Sequence, residues 1–115
     1  MRYYIYIVRC KDGSRYTGIT TDPRRRMREH VLRLPAGAKY TKSHPVEALE
    51  ALWSAETRSE ASVLEAAIKR LRPEQKRQLT AQPDSLLLFL GAKLDPSRYQ
   101  PEAVFSLDEI LNEQS

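Results

Sequence analysis

Along this chain the apolar residues first crowd together and then recur at helical intervals. Tyr3, Tyr4, Ile5, Tyr6, Ile7 and Val8 stand in succession, and β-branched and aromatic side chains in such a run favour a strand over residues 2–10. Lys11, Asp12, Gly13 and Ser14 follow; an Asp-Gly pair between two strand-like runs marks a hairpin turn. Residues 15–20 are then the returning strand. Asp22 and Pro23 open a helix, with an oxygen to cap free N–H groups and a proline suited to the first helical position. This helix is expected to reach Leu34 and stop at Pro35, with Met27, Val31 and Leu34 on the face that packs on the sheet. Residues 36–45 read as a loop.

Residues 46–55 are ambiguous. Glu47, Ala48, Leu49, Glu50, Ala51 and Leu52 favour a helix, whereas Pro45 and the shortness of the segment fit a strand; we read it as a third strand. Thr57 and Glu60 form a capping box that starts the next helix. Its stripe is Ala61, Leu64, Ile68 and Leu71. Pro73 starts a further short helix containing Gln75 and Leu79. Beyond Pro83, residues 85–91 are strongly apolar and are expected to pack on the body or on a partner. Ser106 caps a terminal helix running to Asn112. No internal repeat is present.

The 115 residues suffice for one domain with one core. Their 41% apolar and 30% charged content implies a large surface relative to that core. The longest apolar run is too short to span a bilayer, so no membrane association is expected. No signal peptide is visible, and a single cysteine, Cys10, suits a reducing cytosol. Charge changes the picture more. Residues 1–80 carry 17 basic against 9 acidic side chains, a net of +8, while residues 81–115 carry 2 against 6, a net of −4. A basic body of this kind suits a polyanionic partner. The division suggests a domain at residues 1–82 and an acidic extension at 83–115. In that extension Asp95, Glu102, Asp108 and Glu109 are expected near the basic face.

Three features line up along the first half. Tyr6 closes the aromatic strand segment, Tyr16-Thr17-Gly18 lies in the partner strand, and Arg26 follows eight residues after Gly18 on the helix. Taken with Tyr4-Ile5-Tyr6, His30 one turn after Arg26, and Glu65 in Leu64-Glu65-Ala66-Ala67-Ile68-Lys69, the sequence resembles the GIY-YIG nuclease family. Gly37-Ala38-Lys39-Tyr40-Thr41 resembles its small, single-domain bacterial branch of UPF0213 type. The likeness runs over residues 2–80. It departs from the family at Tyr4, in place of a glycine, at Thr17, in place of an isoleucine, and at Ile19, where some relatives carry a lysine.

The resemblance implies an α/β (α+β) fold, a three-stranded antiparallel sheet flanked by helices, with residues 46–55 as the third strand. It implies an endonuclease whose catalytic residues are Tyr6, Tyr16, Arg26, His30 and Glu65. Either tyrosine could activate water. That chemistry needs help, because a phenol with a reference pKa of about 10 is a poor base unless positive charge favours its anion. Arg26 also suits a transition-state phosphate. Glu65 would bind Mg²⁺ or Mn²⁺. Arg24, Arg25, Arg28, Lys39 and Lys42 would hold nucleic-acid phosphates without reading sequence. DNA is the expected partner, with RNA left open, and the chain is expected to act as a monomer or weak dimer in the cytoplasm. The alternative is a binding module of the same fold that does not cut. Without the resemblance, Tyr6 and Tyr16 are half-buried strand residues, and His30 sits near a helix C-terminus where its proton is favoured. His44 and Cys10 are assigned structural or incidental places.

Overall fold

Strand β1, Tyr3–Cys10, is central because its side chains are apolar on both faces: Ile5, Ile7 and Val8 are fully buried. In a computed structural model that describes residues 1–35, 37–85 and 94–112 (backbone only at 111 and 112), it pairs antiparallel with β2, Arg15–Thr20, and with β3, Val46–Ala55. Gly13 turns the hairpin with a φ of 88°, a conformation open to a residue without Cβ. Of the apolar run at residues 85–91, all beyond Ser85 lies outside the described residues.

The ambiguity of residues 46–55 has a physical cause. The pairing of β3 with β1 slips twice, leaving Glu50 and Glu47 without partners, so Leu52, Leu49 and Val46 stand opposite Tyr6, Val8 and Cys10. Two bulges thus convert an alternating strand into apolar positions three apart, the spacing of a helix. The bulged glutamates are not idle. Arg9 pairs with Glu47 and Glu50 at 2.9 Å each, and Arg15 with Glu50 at 2.6 Å.

The expected three-stranded sheet has four strands, in the order β2-β1-β3-β4. Strand β4 is Gln100–Pro101, which pairs with Ser54 and Trp53 on the outer edge of β3. The sequence conceals it because proline is a poor strand former away from an edge.

Helices cover both sheet faces. On one, Ile5, Ile7, Ala51, Trp53 and Ala55 pack with Ala61, Leu64 and Ile68 of α3, Arg58–Lys69, and Leu79 of α4, Pro73–Ala81. On the other, Tyr6, Val8, Cys10, Leu49 and Leu52 pack with Met27 of α1, Pro23–Val31, and with Leu107 and Ile110 of α5, Leu107–Asn112. Helix α1 ends earlier than expected. Arg33 adopts a φ of 52°, its N–H bonds the His30 carbonyl, and that of Leu34 bonds the Glu29 carbonyl. This is a Schellman stop, and it leaves Leu34 exposed. Within the expected loop at 36–45 a short helix, α2, forms over Lys39–Ser43.

Candidate active site

The hairpin register settles how the two tyrosines meet. Tyr6 faces Gly18 and Val8 faces Tyr16, so the tyrosines are diagonal neighbours on one sheet face, with ring centroids 6.3 Å apart. Gly18 makes this possible. A Cβ there would lie 2.5 Å from Tyr6 Cζ, well inside van der Waals contact, so the Tyr6 ring lies flat across the glycine.

Helix α1 crosses the same face. Asp22 accepts a hydrogen bond from the Arg25 N–H and Pro23 begins the helix, as expected. Arg26 and His30, one turn apart, converge on the Tyr6 hydroxyl: Arg26 Nε donates to it over 3.3 Å, and His30 Nε2 lies 2.8 Å away. Arg26 Nη1 is also held by Glu29 at 2.8 Å.

The electrostatics follow from burial. Tyr6 is 1% exposed, and loss of solvent pushes its pKa up to about 12, against the pull of Arg26. Burial, reinforced by Arg26 and partly offset by Glu29, pushes His30 down to about 4. The proton expected from a nearby helix C-terminus is therefore absent at neutral pH, because desolvation outweighs the helix dipole. Burial opposes the charge on Arg26 too, but its bonds to Glu29 and Tyr6 raise its pKa above the usual value.

The mouth of the site is aromatic. Tyr16 lies edge-on to His30 at 5.8 Å and stacks on Tyr40 of α2 at 5.9 Å; Tyr40 in turn stacks on His44 at 3.9 Å. Glu65 enters from α3. It neighbours the buried Leu64, its side chain is 25% exposed, it lies 3.4 Å from Lys69 Nζ, and its charge acts on Tyr6. Lys69 Nζ stands 5.9 Å above the Tyr16 ring. Among the described residues, no three His, Cys, Asp or Glu side chains converge as a closed metal site needs. One carboxylate at the rim does fit Mg²⁺ or Mn²⁺ completed by water and substrate phosphate.

The expected phosphate-holding residues scatter more widely. Arg24 turns towards the C-terminal segment, 3.2 Å from Glu109 and 4.7 Å over the Phe105 ring. The acidic extension thus meets the basic helix through Glu109, whereas Asp95 bonds Ser97 and Glu102 accepts from Ser54. Arg28 is half-buried; Lys39 and Lys42 are exposed, and Lys42 Nζ donates to the Pro35 carbonyl. Arg25 lines a cleft of about 330 Å³ with Arg26, Glu29, Arg58, Tyr3 and Thr21. Arg58 and Glu29 did not stand out in the sequence, and no role was legible there for Tyr40 or Thr41. Glu29 had a signal, three residues from Arg26 on one helix. Tyr40 and Thr41 stood inside the 37–41 motif, whose contacts only folding reveals.

Similarity to known proteins covers the same region. Residues 2–78 match the GIY-YIG catalytic domain. A UPF0213 protein from Fusobacterium nucleatum subsp. nucleatum is 42% identical over 87 residues, 76% of this chain and 85% of the relative. One from Desulfotalea psychrophila is 47% identical over 77 residues, 67% of this chain and 69% of the relative. The solution NMR structure of a UPF0213 protein from Bacillus halodurans is 43% identical, with a TM-score of 0.45 over 70% of this chain and 84% of that one. Because the matched span takes in the whole hairpin, the helix that crosses it and the glutamate opposite, this chain belongs to the GIY-YIG catalytic domain family.

Proposed function

We propose that this protein is a metal-assisted endonuclease that hydrolyses phosphodiester bonds in DNA. One observation carries the reading: the Tyr6 hydroxyl sits between a guanidinium that donates to it and a neutral imidazole placed to take its proton. Tyr6 is therefore the water-activating tyrosine, in preference to Tyr16, whose hydroxyl has no hydrogen-bond partner among the described residues. Water gives a proton to Tyr6 Oη while Tyr6 passes its own to His30 Nε2, whose low affinity for a proton in the free protein rises beside the negative charge of bound phosphate. The hydroxide attacks phosphorus, the bond to the leaving oxygen breaks, and that oxygen takes a proton from solvent. The 1% exposure of Tyr6 calls for a single water admitted beside Arg26, not bulk solvent.

Arg26 stabilises the charge that grows on the phosphate oxygens. Glu29 keeps its guanidinium oriented while it does so. Mg²⁺ or Mn²⁺ held by Glu65 would add Lewis acidity at a phosphate oxygen and at the leaving oxygen. Arg25 and Arg58 line the cleft next to Arg26 and suit phosphates flanking the scissile one. Binding through these cations depends on backbone charge, and strong sequence selectivity is not expected.

Glu65→Gln tests the enzyme reading, because it nearly keeps the shape and removes the charge. Cleavage of single-stranded, duplex and branched DNA in Mg²⁺ or Mn²⁺ is expected to be abolished, with binding in EDTA changed only a few-fold. A variant that cuts like wild type refutes the metal assignment. A wild-type protein that binds tightly but cuts nothing with either metal makes it a binding module.

A further inference from the structure

The Gly37–Thr41 stretch has no part in the reaction as proposed, yet it supplies a buried polar contact of the site. Thr41 is 1% exposed. Its Oγ1 lies 2.7 Å from His30 Nδ1 and donates to the Ala38 carbonyl over 3.0 Å. A hydroxyl has one proton and a carbonyl can only accept. Because the proton of Thr41 goes to Ala38, the bond to His30 must be an Nδ1–H donated to Thr41. In a neutral imidazole Nε2 is then bare, and it faces the Tyr6 hydroxyl at 2.8 Å. The donors run in one direction: Arg26 Nε to Tyr6, Tyr6 to His30, His30 to Thr41, Thr41 to Ala38.

We propose that Thr41 is a positioning residue that locks His30 as the Nδ1–H tautomer, so that Nε2 is free to take the proton of Tyr6. The catalytic consequence rests on the nuclease reading above; the tautomer does not. Among the described residues no other neighbour of His30 supplies this choice. Tyr6 offers an oxygen able either to donate or to accept, Tyr16 presents its ring at 5.8 Å, Arg26 can only donate, and Glu29 is engaged by Arg26. Replacing the Thr41 hydroxyl by a methyl leaves Nδ1–H buried without an acceptor. The imidazole then regains its bonds by moving the proton to Nε2 and donating to Tyr6. Tyr6 loses its proton acceptor, and the relay runs backwards.

The test compares wild type, Thr41→Val and Thr41→Ser. Two-bond ¹⁵N–¹H correlation spectra of the labelled proteins without substrate at pH 7 read the His30 tautomer directly. Wild type and Thr41→Ser are expected to carry the proton on Nδ1, and Thr41→Val on Nε2. With DNA and Mg²⁺, Thr41→Val should lose about 100-fold in kcat, within the range of a misplaced general base, with KM within a few-fold; Thr41→Ser should stay within a few-fold of wild type. A wild-type Nε2–H tautomer overturns the proposal even if Thr41→Val does not fold. So does a Thr41→Val protein that keeps Nδ1–H, or one that switches tautomer and cuts at the wild-type rate. A wild type that cuts no DNA refutes the nuclease reading instead, and the spectra still decide the tautomer.

Discussion

Acidification below pH 6.5 should weaken this fold, and His30 is the reason. The side chain is 1% exposed and its pKa falls from 6.5 to about 4 on folding. Between those values the unfolded chain binds a proton that the folded chain refuses. The stabilisation is therefore complete above pH 6.5, is lost progressively as pH falls from 6.5 to 4, and is gone below that. A depression of this size corresponds to about 3 kcal/mol in full, of which about 2 kcal/mol disappears between pH 7.5 and pH 5. Of the carboxylates, Asp12 and Asp95 have pKa values held below the usual 3.8 by hydrogen bonds from Ser14 and Ser97. They contribute only at still lower pH. Urea unfolding at pH 7.5 and pH 5 is the assay, and the midpoint of the wild-type protein should drop by roughly 1–2 M. His30→Gln, whose amide does not titrate in this range, should lose most of that pH dependence whatever its absolute stability. Equal wild-type midpoints at the two pH values, or an equal drop in His30→Gln, would refute the argument from burial.

Arg26→Ala should cut turnover at least about 100-fold, the typical loss of a transition-state charge stabiliser; DNA cleavage rates at saturating substrate check this, and an unchanged rate removes Arg26 from the reaction. Gly18→Ala forces a Cβ against the Tyr6 ring, so a loss of about 1–3 kcal/mol is expected from overpacking, measured by urea unfolding; wild-type stability would mean that the ring has room to move. Ile110→Ala should cost about 2–4 kcal/mol because Ile110 is fully buried beside Met27; a loss under about 1 kcal/mol would show that α5 is not part of the core that carries the site.

The hairpin, the starts of α1 and α3, and the stripe of α3 were legible in the sequence because each is a local matter. An Asp-Gly turn, a cap three residues from its N–H, and side chains three or four apart all act within one turn of chain. The same holds for the order of Tyr6, Tyr16, Arg26, His30 and Glu65, which identified the family before any contact was known. What the tertiary structure alone decided depends on partners far along the chain. Residues 46–55 were already read as a strand, but the bulges at Glu47 and Glu50 follow only from their pairing with β1. Gln100–Pro101 became a fourth strand because β3 had a free edge. Arg24 was claimed by Glu109 and Phe105, 85 and 81 residues away. His30 is neutral, and its proton sits on one nitrogen, because packing removed water from the imidazole and placed Thr41 against it. Residue types set which chemistry is available; burial and long-range hydrogen bonding set the protonation state in which it is held.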